Sequence, residues 1–99
     1  MIVQNLNFEW DNKKNRNNQK KHGISFETAV HIFADPFLLE QFYGIHSENE
    51  DRYKVIGSID GYLYIIVVVY TMRHENKVIR IISARPACRL EKEEYYGHR

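Results

Sequence analysis

Two arginines near the end of the chain have the types and surroundings that suggest chemistry. Arg80 and Arg85 stand in a stretch that is otherwise rich in isoleucine, valine and alanine. An arginine among apolar strand residues loses hydration unless it has a fixed partner or a function. Its planar guanidinium keeps its charge and is a good clamp for phosphate. Pairing with a carboxylate such as Glu91 or Glu94, or extension of the charged end into water at the end of a strand, would explain both arginines without a function.

A second group of reactive side chains lies in residues 44–52, where 44–51 are predicted to form a polar loop. His46 can exchange protons near neutral pH, and Glu50 can act as a general base or orient a neighbouring cation. Arg52 adds a guanidinium at the end of the same segment. Catalytic groups concentrate in loops held by a rigid sheet. A solvated acidic loop is the alternative interpretation of this segment.

Other side chains give weaker indications of function. Lys21 and His22 end the first predicted helix, where cations also complement the negative end of the helix dipole. The five histidines show no paired ligand spacing, so neither a metal site nor a cofactor is expected. The single cysteine, Cys88, is predicted to pack in the last helix and has no base beside it in sequence.

Helix signals occur on both sides of the strands. Asp11 can cap a helix over residues 12–22, although that stretch contains no apolar residue. Ser25 can cap a second helix, in which apolar residues at positions 26, 29, 30 and 33 form one face. Proline at position 36 ends it. A third helix is predicted over residues 87–96, with Pro86 in its first turn.

Strand signals fill the space between these helices. Residues 8–10 fit a short strand, and residues 37–43, 52–59, 62–70 and 78–84 fit longer ones. A two-residue turn at Asp60-Gly61 predicts a hairpin, and residues 74–76 turn the chain back. Residues 62–70 are apolar without alternation, which predicts a central strand covered on both faces. Strict alternation in the last strand places Arg80 and Arg85 on opposite faces.

This order of elements predicts an α+β fold. It would contain an antiparallel sheet of three to four main strands, two N-terminal helices and one C-terminal helix. The 99 residues fit one domain, and 43% of them are hydrophobic. One cysteine, no visible signal peptide and no apolar run of spanning length predict a cytoplasmic protein without a membrane partner. Basic residues dominate 1–24 and 61–99, whereas 25–60 are acidic, so a fold that joins both ends could attract a polyanion.

An ordered set of residues resembles the BrnT family, the toxins of bacterial type II toxin–antitoxin systems. The resemblance runs from Phe8 to Tyr95 and ends in the specific block at residues 80–85, RIISAR. The other matching residues are Phe8, Glu9, Trp10, Asp11, Lys14, Asn18, Lys21, His22, Gly23, Ser25, Phe26, Glu27, His46, Ser47, Glu50, Arg52, Ile56, Gly57 and residues 67–70.

The resemblance implies a small RelE-like ribonuclease that arrests growth by cutting RNA. It also implies a BrnA antitoxin, a ribbon-helix-helix protein that neutralises the toxin and represses the shared operon, so that operator DNA is contacted only through the complex. RNA cleavage without metal needs a base, an acid and fixed cations.

We therefore expect particular residues to carry the reaction and to bind the substrate. The expected catalytic residues are His46, Glu50, Arg52, Arg80 and Arg85, and the expected RNA-binding residues are Lys14, Lys21 and His22. Two other functions remain open from the residues: a nucleic-acid-binding module that does not cut, and a protein whose charges only dock a partner.

Overall fold

The computed structural model describes residues 6–46, 50–59 and 64–98. The described strands form a five-stranded sheet in the order β1-β5-β4-β3-β2, in which β1 is parallel to β5 and the other neighbours are antiparallel. The strands are β1 Asn7–Glu9, β2 Leu39–His46, β3 Glu50–Ile59, β4 Tyr64–Arg73 and β5 Val78–Pro86. The helices are α1 Asn12–His22, α2 Phe26–Ala29, which continues as a 3-10 helix over Val30–Ala34, and α3 Arg89–His98.

The predicted α+β class is confirmed, but the predicted antiparallel sheet of three to four main strands is wrong in detail, because the described sheet has five strands and is mixed. Strand β1 joins the sheet by pairing in parallel with β5, so that Glu9 lies beside Arg80. A three-residue strand that pairs with a partner about 70 residues away leaves no hairpin signal in the sequence. The second predicted helix is shorter than its apolar pattern suggests, because only four residues are α-helical before the 3-10 segment begins.

Several predicted ends also differ from the structure. The polar loop predicted over residues 44–51 is too long, because β2 continues through His46 and β3 begins at Glu50. Pro86 ends β5 instead of opening the last helix, which begins at Arg89. Cys88 precedes that helix and is exposed, so its predicted packing role is wrong. The predicted turn at Asp60-Gly61 lies outside the described residues.

A β-bulge in β5 changes the faces on which its side chains lie. Ile81 is opposite Tyr70 and Ser83 is opposite Val69, so β5 contains one more residue than β4 at this point. Beyond the bulge, Arg85 is opposite Val67, and before it Arg80 is opposite Thr71. Val67 and Thr71 are four residues apart on β4 and share a face. Arg80 and Arg85 therefore lie on the same face, and the prediction from strict alternation is wrong.

Two apolar clusters cover the two faces of the sheet. On the back face, Val55 and Val68 pack against residues of α2 and the 3-10 helix, including Phe26 and Phe33. On the front face, Ile56 and Val67 pack with Tyr95 of α3. Residues 65–68 of β4 are all buried, which confirms the predicted central strand covered on both sides. Gly57 suits the close packing at the back, because a Cβ there would lie 2.8 Å from Leu38 Cδ1.

Helix α1 is attached to the sheet by hydrogen bonds instead of an apolar face. Asp11 caps it by accepting from the backbone N–H groups of residues 13 and 14, and Gly23 ends it with a φ of 74°. The buried Asn18 donates to the carbonyl oxygens of Ile24 and Ala84 and accepts from the N–H of Ala84. Asn18 thereby satisfies backbone groups of β5. This explains how a helix without apolar residues holds its place.

Asp35 connects three elements of the fold. Its carboxylate accepts hydrogen bonds from the N–H of Phe37, the N–H and hydroxyl of Ser58, and the hydroxyl of Tyr95. Burial alone would raise the pKa of Asp35, but these hydrogen bonds outweigh it and hold the pKa below its ordinary value. The charged carboxylate therefore ties the end of the 3-10 helix to β3 and α3.

Glu91 anchors α3 to the strands in a similar way. Arg85 donates to both of its carboxylate oxygens, at 2.7 and 2.8 Å, and Lys54 Nζ lies 3.4 Å away. The N–H of Cys88 also donates to Glu91, at 2.9 Å, which satisfies a backbone group at the start of α3. The hydrogen bond from Arg85 is the main reason that the pKa of Glu91 lies far below its ordinary range.

These two carboxylates predict a loss of stability in acid. Their pKa values are lower in the folded protein than in the unfolded chain, so unfolding takes up protons as the pH falls. The contribution of these carboxylates to the free energy of unfolding is complete above the ordinary carboxyl pKa of about 4 and is lost progressively below it. We expect the melting temperature to fall between about pH 5 and pH 2. In the Asp35→Asn/Glu91→Gln variant it should be lower at neutral pH and change less with acid. An unchanged pH slope in this variant would contradict the assignment.

Candidate active site

The pairing of the strands brings polar residues from β3, β4 and β5 together on the front face. Ile56 faces the front, so Arg52 and Glu50, at even spacings from it, face the front as well. On β4 the same spacing from Val67 places Thr71 and Arg73 there. On β5 Arg80 lies directly opposite Thr71. The backbone hydrogen bonds of the sheet thus fix the positions of Thr71 and Arg80, in the middle of this group.

These side chains line a cavity of about 220 Å³, which we call the front cavity. Its described lining consists of Lys14, Glu50, Arg52, Thr71, Arg73, Arg80 and Ile82. Four of these residues are cations and one is a carboxylate. A concave surface with such a charge excess attracts anions and concentrates its field within the cavity. Four of the five predicted catalytic residues have described side chains, and three of these four line the front cavity. The predicted RNA-binding residue Lys14 lines it as well.

Two of the four cations are partly neutralised by carboxylates. Arg80 Nη1 lies 2.7 Å from Glu9 Oε2, and Arg73 Nη2 lies 2.7 Å from Glu50 Oε1. The hydrogen bond from Arg80 is the main reason that the pKa of Glu9 lies below its ordinary value. Both ion pairs are partly exposed, and they leave the remaining donors of each guanidinium for other acceptors.

The other two cations, Arg52 and Lys14, differ from Arg73 and Arg80 in their pairing. Among the described residues, neither Arg52 nor the ammonium group of Lys14 has an ion-pair partner. The Nε atoms of Arg52 and Arg73 are buried and have no hydrogen-bond partner among those residues. A buried donor without an acceptor costs free energy, and such groups often have a functional reason. Arg52 therefore has the charge and the donors for an anionic ligand.

Arg85 lies on the front face but does not line the described part of the front cavity. Its guanidinium is held by Glu91 and by the carbonyl oxygen of Pro86. The carboxylate pairing considered from the sequence is thus present at Arg85, with Glu91 as the partner. Arg80 is also paired, but with Glu9, and it still faces the cavity.

The remaining predicted residues extend away from the front cavity. Lys21 is seven residues after Lys14 on α1, which puts it on the same side of the helix about 10 Å along the axis. His22 ends that helix. The backbone of His46 ends β2 directly opposite Glu50, and its side chain lies outside the described part of the structure. The basic track along α1 thus leads to the cavity.

Arg73 and Glu9 are parts of the site that the sequence analysis did not select. Arg73 was missed because the predicted strand ended at Tyr70, whereas β4 continues to Arg73. Extending the alternation from Val67 by six residues would have placed Arg73 on the front face. Glu9 was missed because its approach to Arg80 depends on the parallel pairing of β1 with β5.

The described residues contain neither a metal-binding cluster of side chains nor a membrane-spanning helix. No group of three or more histidine, cysteine, aspartate or glutamate residues lies close enough within those ranges to hold a metal ion. In the same part of the chain, no helix has the length and apolar character needed to span a membrane.

Comparison with known proteins shows the family to which the chain belongs. The family model described as the ribonuclease toxin BrnT of type II toxin–antitoxin systems matches residues 10–91. No curated protein matches the chain. The matched region includes α1, all of β2 to β5 and the start of α3, and therefore every described residue that lines the front cavity. The chain belongs to the BrnT family of ribonuclease toxins of type II toxin–antitoxin systems.

Proposed function

We propose that this toxin is an endoribonuclease that cleaves RNA without a metal ion and uses the front cavity as its active site. The observation that carries the proposal is the convergence of Lys14, Arg52, Arg73 and Arg80 around Glu50. Charged groups that are already positioned where charge develops in the transition state make the largest single contribution to the rate acceleration of many enzymes. A phosphodiester with its ribose supplies the anion that such a cavity favours.

The reaction that fits these groups is attack of a ribose 2′-oxygen on the adjacent phosphorus. The P–O5′ bond breaks, and the products are a 2′,3′-cyclic phosphate and a 5′-hydroxyl. Glu50 or His46 accepts the proton of the 2′-hydroxyl, and a protonated group of the site returns a proton to the leaving oxygen. Arg52 and Arg80 stabilise the phosphate as its charge increases. A role for Arg85 in this step remains a prediction.

The track of α1 supplies binding beyond the reacting phosphate. Lys14 borders the front cavity, and Lys21 and His22 continue along the same helix. These groups fit the phosphates of an RNA strand that leads into the cavity, and such contacts make binding dependent on salt. Growth arrest would follow from RNA cutting in cells that produce the toxin alone.

The proposed partner is a BrnA-like antitoxin with a ribbon-helix-helix DNA-binding domain. Membership of a type II system implies a protein antitoxin. In the proposed system the antitoxin neutralises the toxin and carries the complex to operator DNA, so the toxin alone would not bind the operator. Co-expression of a neighbouring ribbon-helix-helix gene should therefore restore growth to cells that are arrested by the toxin.

The purified toxin should cut RNA in the presence of EDTA and leave cyclic phosphate ends. We expect Arg80→Ala to lower the cleavage rate about tenfold, because part of the Arg80 charge is already shared with Glu9. Arg89→Ala is the matched control, since Arg89 is exposed on α3 and contacts only Glu93 among the described residues. The readout is the amount of cleaved RNA and the chemistry of its ends.

Other outcomes of this experiment select other functions. Salt-dependent RNA binding without cleavage would make the protein a nucleic-acid-binding module. An absence of binding and cleavage, with a stable antitoxin complex, would make it an interaction protein. Cleavage that stops with EDTA would contradict the metal-independent reaction.

A further inference from the structure

The two central strands separate next to the front cavity. Pairing between β3 and β4 runs from Ile59 and Tyr64 to Tyr53 and Tyr70 and ends there. Beyond that point, Glu50 to Arg52 pair with β2, whereas Thr71 to Arg73 pair with β5. The space between the separated strands is a second cavity of about 200 Å³, which we call the interstrand slot. Its described lining is Glu50, Asp51, Tyr53, Thr71, Met72 and Asn76.

Two contacts cross the slot and join it to the front cavity. The Thr71 hydroxyl donates to the carbonyl oxygen of Asp51 at 2.7 Å, and Arg73 reaches Glu50 at 2.7 Å. Glu50 and Thr71 line both cavities. If a phosphate of RNA binds in the front cavity, the nucleotide attached to that phosphate would therefore lie next to the slot.

The polar side chains at the mouth of the slot are available for a ligand. Among the described residues, the Asp51 carboxylate and the Asn76 amide have no hydrogen-bond or ion-pair partner. Asn76 ends a run of three non-glycine residues with positive φ, in the turn between β4 and β5. Such backbone conformations are uncommon outside glycine and often occur at functional sites. Tyr53 and Met72 add apolar surface to the same slot.

We propose that the interstrand slot binds the nucleobase next to the phosphate in the front cavity and prefers a base with an exocyclic amino group. This proposal rests on the proposed ribonuclease function. The Asp51 carboxylate can only accept hydrogen bonds, and the amino groups of cytosine, adenine and guanine donate them. Uracil has no amino group, and its one donor on this edge, the ring N3–H, lies between two carbonyl oxygens that the carboxylate repels. The amide of Asn76 can donate to a ring acceptor of the same base.

The first test measures nucleotide binding and needs no cleavage. Cytidine and uridine 3′-monophosphates are titrated into the toxin and followed by NMR. We expect the cytidine nucleotide to bind roughly tenfold more tightly, and Asp51→Asn to remove most of this difference. Glu75→Gln is the matched control, because it removes the same charge from the adjoining turn and does not line the slot. Equal affinities in the unmodified toxin would overturn the proposal.

The second test measures which RNA sequences are cut. In a random RNA pool, uridine should be depleted at one position beside the cut, and this depletion should weaken in Asp51→Asn and in Asn76→Gly. Glycine at position 76 removes the amide and also suits the positive φ, so loss of folding is not expected. Cleavage with no base preference at any position would overturn the slot assignment and leave the ribonuclease function intact. Absence of cleavage with the nucleotide preference retained would overturn only the ribonuclease function.

Discussion

Replacement of Arg52 by alanine should lower RNA cleavage about 100-fold, because this guanidinium has no partner among the described residues and faces the front cavity. A cation that is not already neutralised gives its full charge to the transition state. The loss should appear mainly in kcat, since it concerns charge that develops during the reaction. Single-turnover cleavage of a defined RNA measures it.

The melting temperature of the same variant should stay close to that of the unmodified toxin. Among the described residues the side chain of Arg52 has no hydrogen-bond partner, and its buried Nε costs desolvation without compensation. Arg52→Lys keeps the charge but not the planar set of donors, so we expect an intermediate rate. A folded Arg52→Ala protein that cuts at the original rate would remove Arg52 from the reaction.

Replacement of Asp35 by alanine should have the largest effect on stability. The partly buried N–H groups of Phe37 and Ser58 and the buried hydroxyl of Tyr95 would all lose their hydrogen bond to the Asp35 carboxylate. We expect the free energy of unfolding to fall by about 3 kcal/mol, which lowers the melting temperature of a domain of this size by roughly 12 to 24 °C. Denaturant and thermal unfolding followed by circular dichroism measure both quantities.

Two further variants show whether this effect comes from the hydrogen bonds. Tyr95→Phe removes a single donor and should cost about 1 kcal/mol. Asp51→Ala removes an exposed carboxylate without a partner among the described residues and should change stability by less than about 0.5 kcal/mol. If Asp35→Ala is as stable as Asp51→Ala, the carboxylate at position 35 does not connect the three elements as described.

The parts of the fold that depend on local chemistry could be predicted from the sequence. Helix α1 was predicted with its observed bounds because Asp11 and Gly23 mark its two ends by cap chemistry that needs no distant residue. The buried central strand followed from its continuous apolar run. Strand β1 could not be predicted in its place, because a three-residue segment gives no information about a distant parallel partner.

The candidate site shows the same division. Arg52, Arg80 and Glu50 were identified by residue type, and the sheet does bring them together. Their common face was not predictable, because the bulge that moves Arg80 and Arg85 to one side has no glycine or proline to mark it. The partners of the arginines, Glu9 and Glu91, also depend on tertiary contacts. The reactive residues could therefore be predicted from sequence patterns, whereas the contacts between them depend on long-range packing.

The extra residue in β5 keeps both arginines of this strand on one face despite their odd spacing in the sequence. Loss of the Ile82 codon would remove the bulge and restore regular pleating. Arg80 and Arg85 would then be four residues apart and would still share the front face, whereas the front cavity would lose Ile82 from its lining. The bulge is therefore a position at which β5 can become one residue shorter during evolution without turning either guanidinium into the apolar interior.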